Sequence, residues 1–166
     1  MAHLASRARG GTIAGMTEST GDRPRPLPRS HFPHFQTIST RWTDNDVYGH
    51  VNNVVHYSYF DTAVNRYLIE AGALDIRGGD VIGLVVNTQC HYFDSIAFPQ
   101  TVHAGLRVAR LGRSSVHYAL GLFADEAPLC AALGRYVHVY VDRITRRPVP
   151  LPEVLTRALA PLQITA

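Results

Sequence analysis

The residues best suited to chemistry stand together at Asp44-Asn45-Asp46-Val47-Tyr48-Gly49-His50-Val51-Asn52-Asn53. Two carboxylates and three amides border a predicted helix. The first N–H groups of a helix lack internal partners, and the helix dipole is positive there. A carbonyl oxygen gaining negative charge is stabilised at such a point. A carboxylate beside it can deprotonate or steer a water molecule. Gly49 lets the backbone approach a ligand without a Cβ in the way. The same residues also suit a purely structural role: Asp44, Asn45 and Asp46 are turn formers, and Asn52 or Asn53 is a plausible helix cap.

The elements that must position this cluster are legible from periodicity. Residues 35–42 alternate faces and are rich in β-branched and aromatic types, which predicts a strand. After the cluster, Tyr59, Phe60, Ala63, Val64, Tyr67, Leu68 and Ala71 fall on helical spacing, with Gly72 placed to end the helix. Asp61, Asn65, Arg66 and Glu70 mark its polar face, so it packs on one side only. Strands are then expected at 81–87, continuing toward Phe93, and at 101–110, 115–123 and 129–141. A short helix is expected over 153–162. Short turns between strands imply antiparallel neighbours. The predicted fold class is α+β: an antiparallel sheet of about five strands wrapped around one long helix.

Residues 1–33 read as a separate, disordered Arg/Pro-rich leader, with Pro24, Pro26 and Pro28 alternating and no apolar period. The folded domain is expected over 34–166. The chain has 166 residues and a net charge of +3. Residues 1–34 hold Arg7, Arg9, Arg23, Arg25 and Arg29 against Glu18 and Asp22, which accounts for that charge. The remainder balances, so no nucleic-acid partner is expected. All 16 basic residues are Arg. Chemistry that needs a lysine amine is therefore excluded.

No run approaches the ~18 apolar residues of a membrane span. Cys90 and Cys130 read as reduced structural thiols, which points to the cytoplasm. His50 and His56 are six apart, about 240° round a helix if both are helical, and no ligand set surrounds them. No metal and no cofactor are expected. His91, His103, His117 and His138 fall in strands and read mostly as ordinary sheet or surface residues. A Gly-x-Ser-x-Gly elbow and a dinucleotide fingerprint are both missing.

The run from Arg41 through Asp44-Asn-Asp46-Val-Tyr-Gly-His-Val-Asn-Asn53 to Asp61 resembles the signature of the hotdog-fold acyl-CoA thioesterases of the 4-hydroxybenzoyl-CoA thioesterase-like group. Arg110-Leu-Gly-Arg-Ser-Ser-Val116, Val137–Asp142 and Arg146–Pro150 share the resemblance, which runs from about Phe35 to the C-terminus. It implies a long helix wrapped by an antiparallel sheet, and hydrolysis of an acyl-CoA to free acid and coenzyme A. Asp46 is then the general base or nucleophile, and the Asn53 N–H polarises the thioester carbonyl. Arg113 and Ser114 would contact the phosphates or pantetheine of coenzyme A. Asp61 would face the acyl group. Gly49, His50, Val51, Asn52 and His56 complete the implied substrate-binding set, with His56 standing where relatives carry a tyrosine.

Three other readings share the fold: a non-catalytic acyl-CoA binding protein, an acyl carrier protein thioesterase, and a hydratase. The last would want an Asp/His pair on an Asn-Pro-bearing segment, and 46–53 has no proline. A single small sheet leaves an exposed edge, so a homodimer or homotetramer is expected.

Overall fold

The computed structural model describes residues 24–164. Its elements, in chain order, are β1 (His34–Ser39), α1 (Asn53–Glu70), β2 (Val81–Tyr92), β3 (Thr101–Leu111), β4 (Ser115–Ala124), β5 (Ala132–Asp142) and α2 (Glu153–Leu159). Five strands form one antiparallel sheet in the order β1-β3-β4-β5-β2. α1 lies on its inner face. The arrangement is the hotdog fold that the resemblance implied.

Strand alternation builds the core. Val102, Ala104, Leu106 and Val108 of β3 point inward, as do Val116, Tyr118, Leu120 and Leu122 of β4. α1 answers with Tyr59, Phe60, Ala63, Val64 and Leu68, spaced three and four apart. Its ring at Phe60 sits where β5 has no side chain: a Cβ on Gly134 would meet the Phe60 ring at 2.5 Å. Gly134→Ala therefore overpacks the helix–sheet contact. We expect a loss of about 1–3 kcal/mol, read as a lower urea midpoint with an unchanged slope; an unchanged midpoint would show that Phe60 can move.

Several boundaries differ from expectation for local reasons. β1 ends at Ser39, because Trp42–Asp44 folds into a 3-10 turn. The Asp44 carboxylate accepts from the Arg41 N–H at 2.8 Å and pulls the chain out of the sheet. β5 begins at Ala132 and not at Leu129, since the preceding residues pair elsewhere: the Cys130 N–H donates to the Leu27 carbonyl at 3.0 Å. The C-terminal helix ends at Leu159 and continues as a 3-10 turn, Ala160–Leu162, around Pro161.

The expected leader needs correction at its C-terminal end. Residues 1–23 lie outside the described residues. Leu27 and Phe32, however, pack on the outer face of the sheet with Phe35, Phe123 and Cys130. Phe32 is 4% exposed and stacks edge-on with Phe123 at 5.7 Å. Apolar burial against the sheet thus outweighs the extended preference of the proline-rich stretch. Cys90 and Cys130 are both free thiols. Among the described residues no helix is long and apolar enough to cross a membrane.

Candidate active site

The expected cluster forms a loop between the Trp42–Asp44 turn and α1, and its two acids have opposite surroundings. Asp44 is 1% exposed. Its carboxylate accepts from the Arg41 N–H, from the Arg41 side chain at 2.8 and 3.0 Å, and from the Tyr59 hydroxyl at 2.8 Å. Burial acts to raise its pKa, but these donors together hold it below the ordinary carboxylate value. The same burial, with the Asp44 charge, pushes the Tyr59 hydroxyl well above the phenol range. Asp44 is closed on all sides and ties the loop to α1.

Asp46 is half-buried and open to a cleft. Its Oδ1 accepts from the Tyr48 N–H at 2.8 Å and the His50 N–H at 3.4 Å. Among the described residues no hydrogen bond engages Oδ2. The loop closes on itself, with the Asp46 N–H donating to the His50 carbonyl at 2.8 Å. Gly49 has φ +83°, the left-handed region that a residue with a side chain enters at a cost. That turn lets the two N–H groups converge on Asp46.

The N-terminus of α1 faces the same cleft. The Asn52 side chain accepts from the Val54 N–H at 3.2 Å, and its carbonyl accepts from the Val55 N–H. These bonds cap the first turn. Among the described residues the Asn53 N–H has no acceptor, so one donor is left at the positive end of the dipole. The cleft measures about 230 Å³ and is lined by Asp46, His50, Val51, Asn53, His56, Tyr92, Asp94, Ser95 and Ile96.

His56 is buried, and its Nδ1 lies 3.2 Å from the Asn52 carbonyl. Burial lowers its pKa, against a smaller upward pull from that carbonyl. The ring is therefore neutral near pH 7, with Nδ1–H donating to Asn52. His50 precedes the helix, so the helical angle between the two histidines does not apply; both line the cleft. Among the described residues no group of three or more His, Cys, Asp or Glu is placed to hold a metal ion.

Asp46, His50, Val51, Asn53 and His56 are thus brought together. Gly49 and Asn52 shape the walls. Three expected residues lie elsewhere within this chain. Arg113 and Ser114 sit in the β3–β4 turn, where their carbonyls accept from Leu151 and Tyr140 N–H groups. Asp61 projects from the middle of α1 toward β5 and accepts from the Tyr136 hydroxyl at 3.3 Å. Tyr92 and residues 94–96 were not anticipated. They arrive through the β2–β3 connection, pinned by the Val51 N–H to the Ile96 carbonyl at 2.7 Å. Only the polar Asp94-Ser95 pair, directly after a strand, signals them in the sequence.

A second cavity, about 300 Å³, opens near the C-terminal half of α1, lined mainly by Leu68, Ile69, Leu74, Ile76 and Ile82. His138 borders it. This histidine is 3% exposed, and among the described residues its Nε2 has no hydrogen-bond partner.

The family described as the thioesterase-like superfamily matches residues 40–159. The chain is similar to the PA5185 protein of Pseudomonas aeruginosa strain PAO1, at 58% identity and a TM-score of 0.83. The match covers 86% of this chain and 99% of that one. It is also similar to a thioesterase from Thermus thermophilus solved with coenzyme A and Zn, at 31% identity and a TM-score of 0.67, covering 80% and 95%. The protein YsmA of Bacillus subtilis (strain 168) is 24% identical over 99 residues, 58% of this chain and 67% of its own length.

Proposed function

Because the chain belongs to the thioesterase-like superfamily, we propose that it hydrolyses the thioester of an acyl-CoA to the free acid and coenzyme A. The observation that carries this reading is the open Asp46 carboxylate, which shares a cleft with the unpaired Asn53 N–H. The thioester carbonyl oxygen accepts from that N–H, and the helix dipole stabilises the charge that develops there. Asp46 Oδ2 either takes a proton from the attacking water or attacks the carbonyl carbon itself. In the water route the C–S bond breaks as the proton held by Asp46 passes to the departing thiolate. In the covalent route the C–S bond breaks after the Asp46 oxygen bonds the acyl carbon; the thiolate takes its proton from solvent, and a water then hydrolyses the anhydride to the free acid and Asp46. A single turnover in ¹⁸O-water tests the covalent route. Label in Asp46 identifies an anhydride opened by water at the aspartyl carbon, whereas label in the product acid alone fits direct attack by water or an anhydride opened at the acyl carbon.

The neutral His56 ring and Tyr92, 5.1 Å apart edge-to-face, form the wall beside the reacting carbon. Arg113 and Ser114 stand outside the cleft of their own chain, and Asp61 faces away toward β5. Their expected contacts with coenzyme A and the acyl group fit a site completed by a second copy. The outer edge of β2 supports the same arrangement. Leu84, Val85 and Val86 are exposed on a strand that, among the described residues, pairs only with β5. An open apolar edge of this kind recruits a partner strand. We expect a homodimer or homotetramer by light scattering at micromolar concentration; a monomer there would reject the shared site. We place the reaction in the cytoplasm, a reading that two free thiols support.

The decisive experiment is a panel of short, long, branched and aromatic acyl-CoA esters, with acyl carrier protein thioesters beside them and free thiol as the readout. Thiol release from at least one class is expected. Tight binding of every ester without thiol release would mark an acyl-CoA binding protein. Loss of enoyl absorbance without thiol would mark a hydratase.

A further inference from the structure

We propose that the outer face of the sheet carries a binding groove for a phosphate-bearing ligand, held by Arg107, Arg110 and Arg135. Residues 27–35 cover one half of this face through Phe32 and Phe35. The groove opens where that cover stops, with the Arg107 guanidinium 5.9 Å from the Phe32 ring. It measures about 530 Å³, and its polar walls are the three arginines with His117, Asn87 and Gln89.

The register shows how the groove is built. Arg107 pairs with Ala119, Ala119 with Arg135, and Arg135 with Gln89, in one row across four strands. Two arginines therefore flank a methyl group, about 10 Å apart at Cα by strand spacing. Their side chains rise on either side of a small floor residue, which leaves room for a tetrahedral anion between them.

Two β-bulges add to the same groove. In β3 the pairing skips Ala109, so Arg110 comes opposite His117. Simple alternation from the buried Val108 would have turned Arg110 into the core; the bulge turns it out beside Arg107. In β2 the pairing skips Val86, and Asn87 comes opposite the outward Val137 in the same way. Irregularities on two separate strands thus re-aim polar side chains into one place.

Among the described residues this charge is uncompensated. Among the described residues no carboxylate pairs with any of these guanidinium groups, and none lines the groove. The Arg107 Nε is buried without an acceptor among the described residues. A buried guanidinium N–H ordinarily has one, because leaving it unpaired is costly. Burial, and then the Arg135 charge, lowers the Arg107 pKa. A bound oxyanion would satisfy the Nε donor and screen the like charges together. Guanidinium groups suit this task because their donor forks match phosphate oxygens in pairs.

The site does not depend on the thioesterase reading, since binding is measured without turnover. Inorganic pyrophosphate is titrated into the full chain by calorimetry at constant ionic strength. Saturable binding is expected, weakened about tenfold or more in Arg107→Gln and in Arg135→Gln. Arg135 is exposed, so its variant keeps the fold. Arg157→Gln, on α2 and paired with Glu153, is the control and should bind as the parent does. Coenzyme A titration then identifies the source of the phosphate. Parallel weakening of coenzyme A, with competition by pyrophosphate, assigns the groove to its nucleotide end. Unchanged coenzyme A binding assigns it to a separate phosphorylated molecule. Absence of saturable pyrophosphate binding, or equal affinity in the parent and both variants, overturns the proposal.

Discussion

Asp46→Asn should lower kcat for thioester hydrolysis by about 10²- to 10⁴-fold, the usual contribution of a positioned base. The substitution is close to isosteric. An Asn side-chain oxygen can still accept from the Tyr48 and His50 N–H groups, so the loop geometry survives. What changes is the second oxygen, the one without a partner. An amide nitrogen there neither takes a proton nor attacks a carbonyl. KM should change little, because binding of the acyl and nucleotide portions does not pass through that atom. Thermal unfolding should match the parent. Normal turnover in this variant would remove Asp46 from the chemistry, and with it the proposed mechanism. Loss of the fold would instead show that the carboxylate serves the loop, which is the role its neighbour Asp44 fills.

The distinction between those two acids also shows what the sequence could and could not convey. Both stand in the same short run, and their spacing to the helix is readable without coordinates. The asparagine cap, the helix stripe and the strand alternation are likewise local patterns, and local patterns survive in sequence. That Asp44 is sealed depends on Tyr59, one helical stretch away, and on the Arg41 side chain folding back. Tyr92 and Ile96 reach the cleft only because β2 and β3 lie on opposite edges of β4 and β5 and their connection must cross under α1's N-terminus. Contacts of that kind are set by topology, and no periodicity announces them. The same holds for Leu27 and Phe32. Set among prolines and arginines they read as part of a leader, yet the outer face offers Phe123 and Cys130 to bury them. Bulges are invisible for a related reason: one skipped residue in β3 reverses the side on which Arg110 emerges, and the sequence reads as uninterrupted alternation.

His138 gives the protein an acid-sensitive core, and His138→Phe should remove much of that sensitivity. In the sequence it is one of several strand histidines; in the fold it is enclosed by Tyr118, Tyr136 and Tyr140, with ring centroids 5.2–6.3 Å away. Burial holds its pKa down to about 4, against a smaller upward pull from the Asp61 carboxylate. An unfolded histidine titrates near the ordinary value of about 6.5. Between these two values the unfolded chain binds the proton and the folded chain does not. Stability from this group is therefore complete above about pH 6.5 and is lost as pH falls toward about 4. A depression of that size corresponds to about 3 kcal/mol, to order of magnitude. Phenylalanine keeps the ring among the tyrosines and removes both the titration and the unpartnered Nε2. Urea unfolding at a series of pH values should show the parent weakening over this window and the variant weakening by about 3 kcal/mol less. His56 and His34, whose pKa values burial also lowers, remain in both proteins, so a residual slope persists in the variant. Parallel stability curves would mean that His138 takes up its proton in the folded state at an ordinary pH. The enclosure by three tyrosine rings would then open in solution.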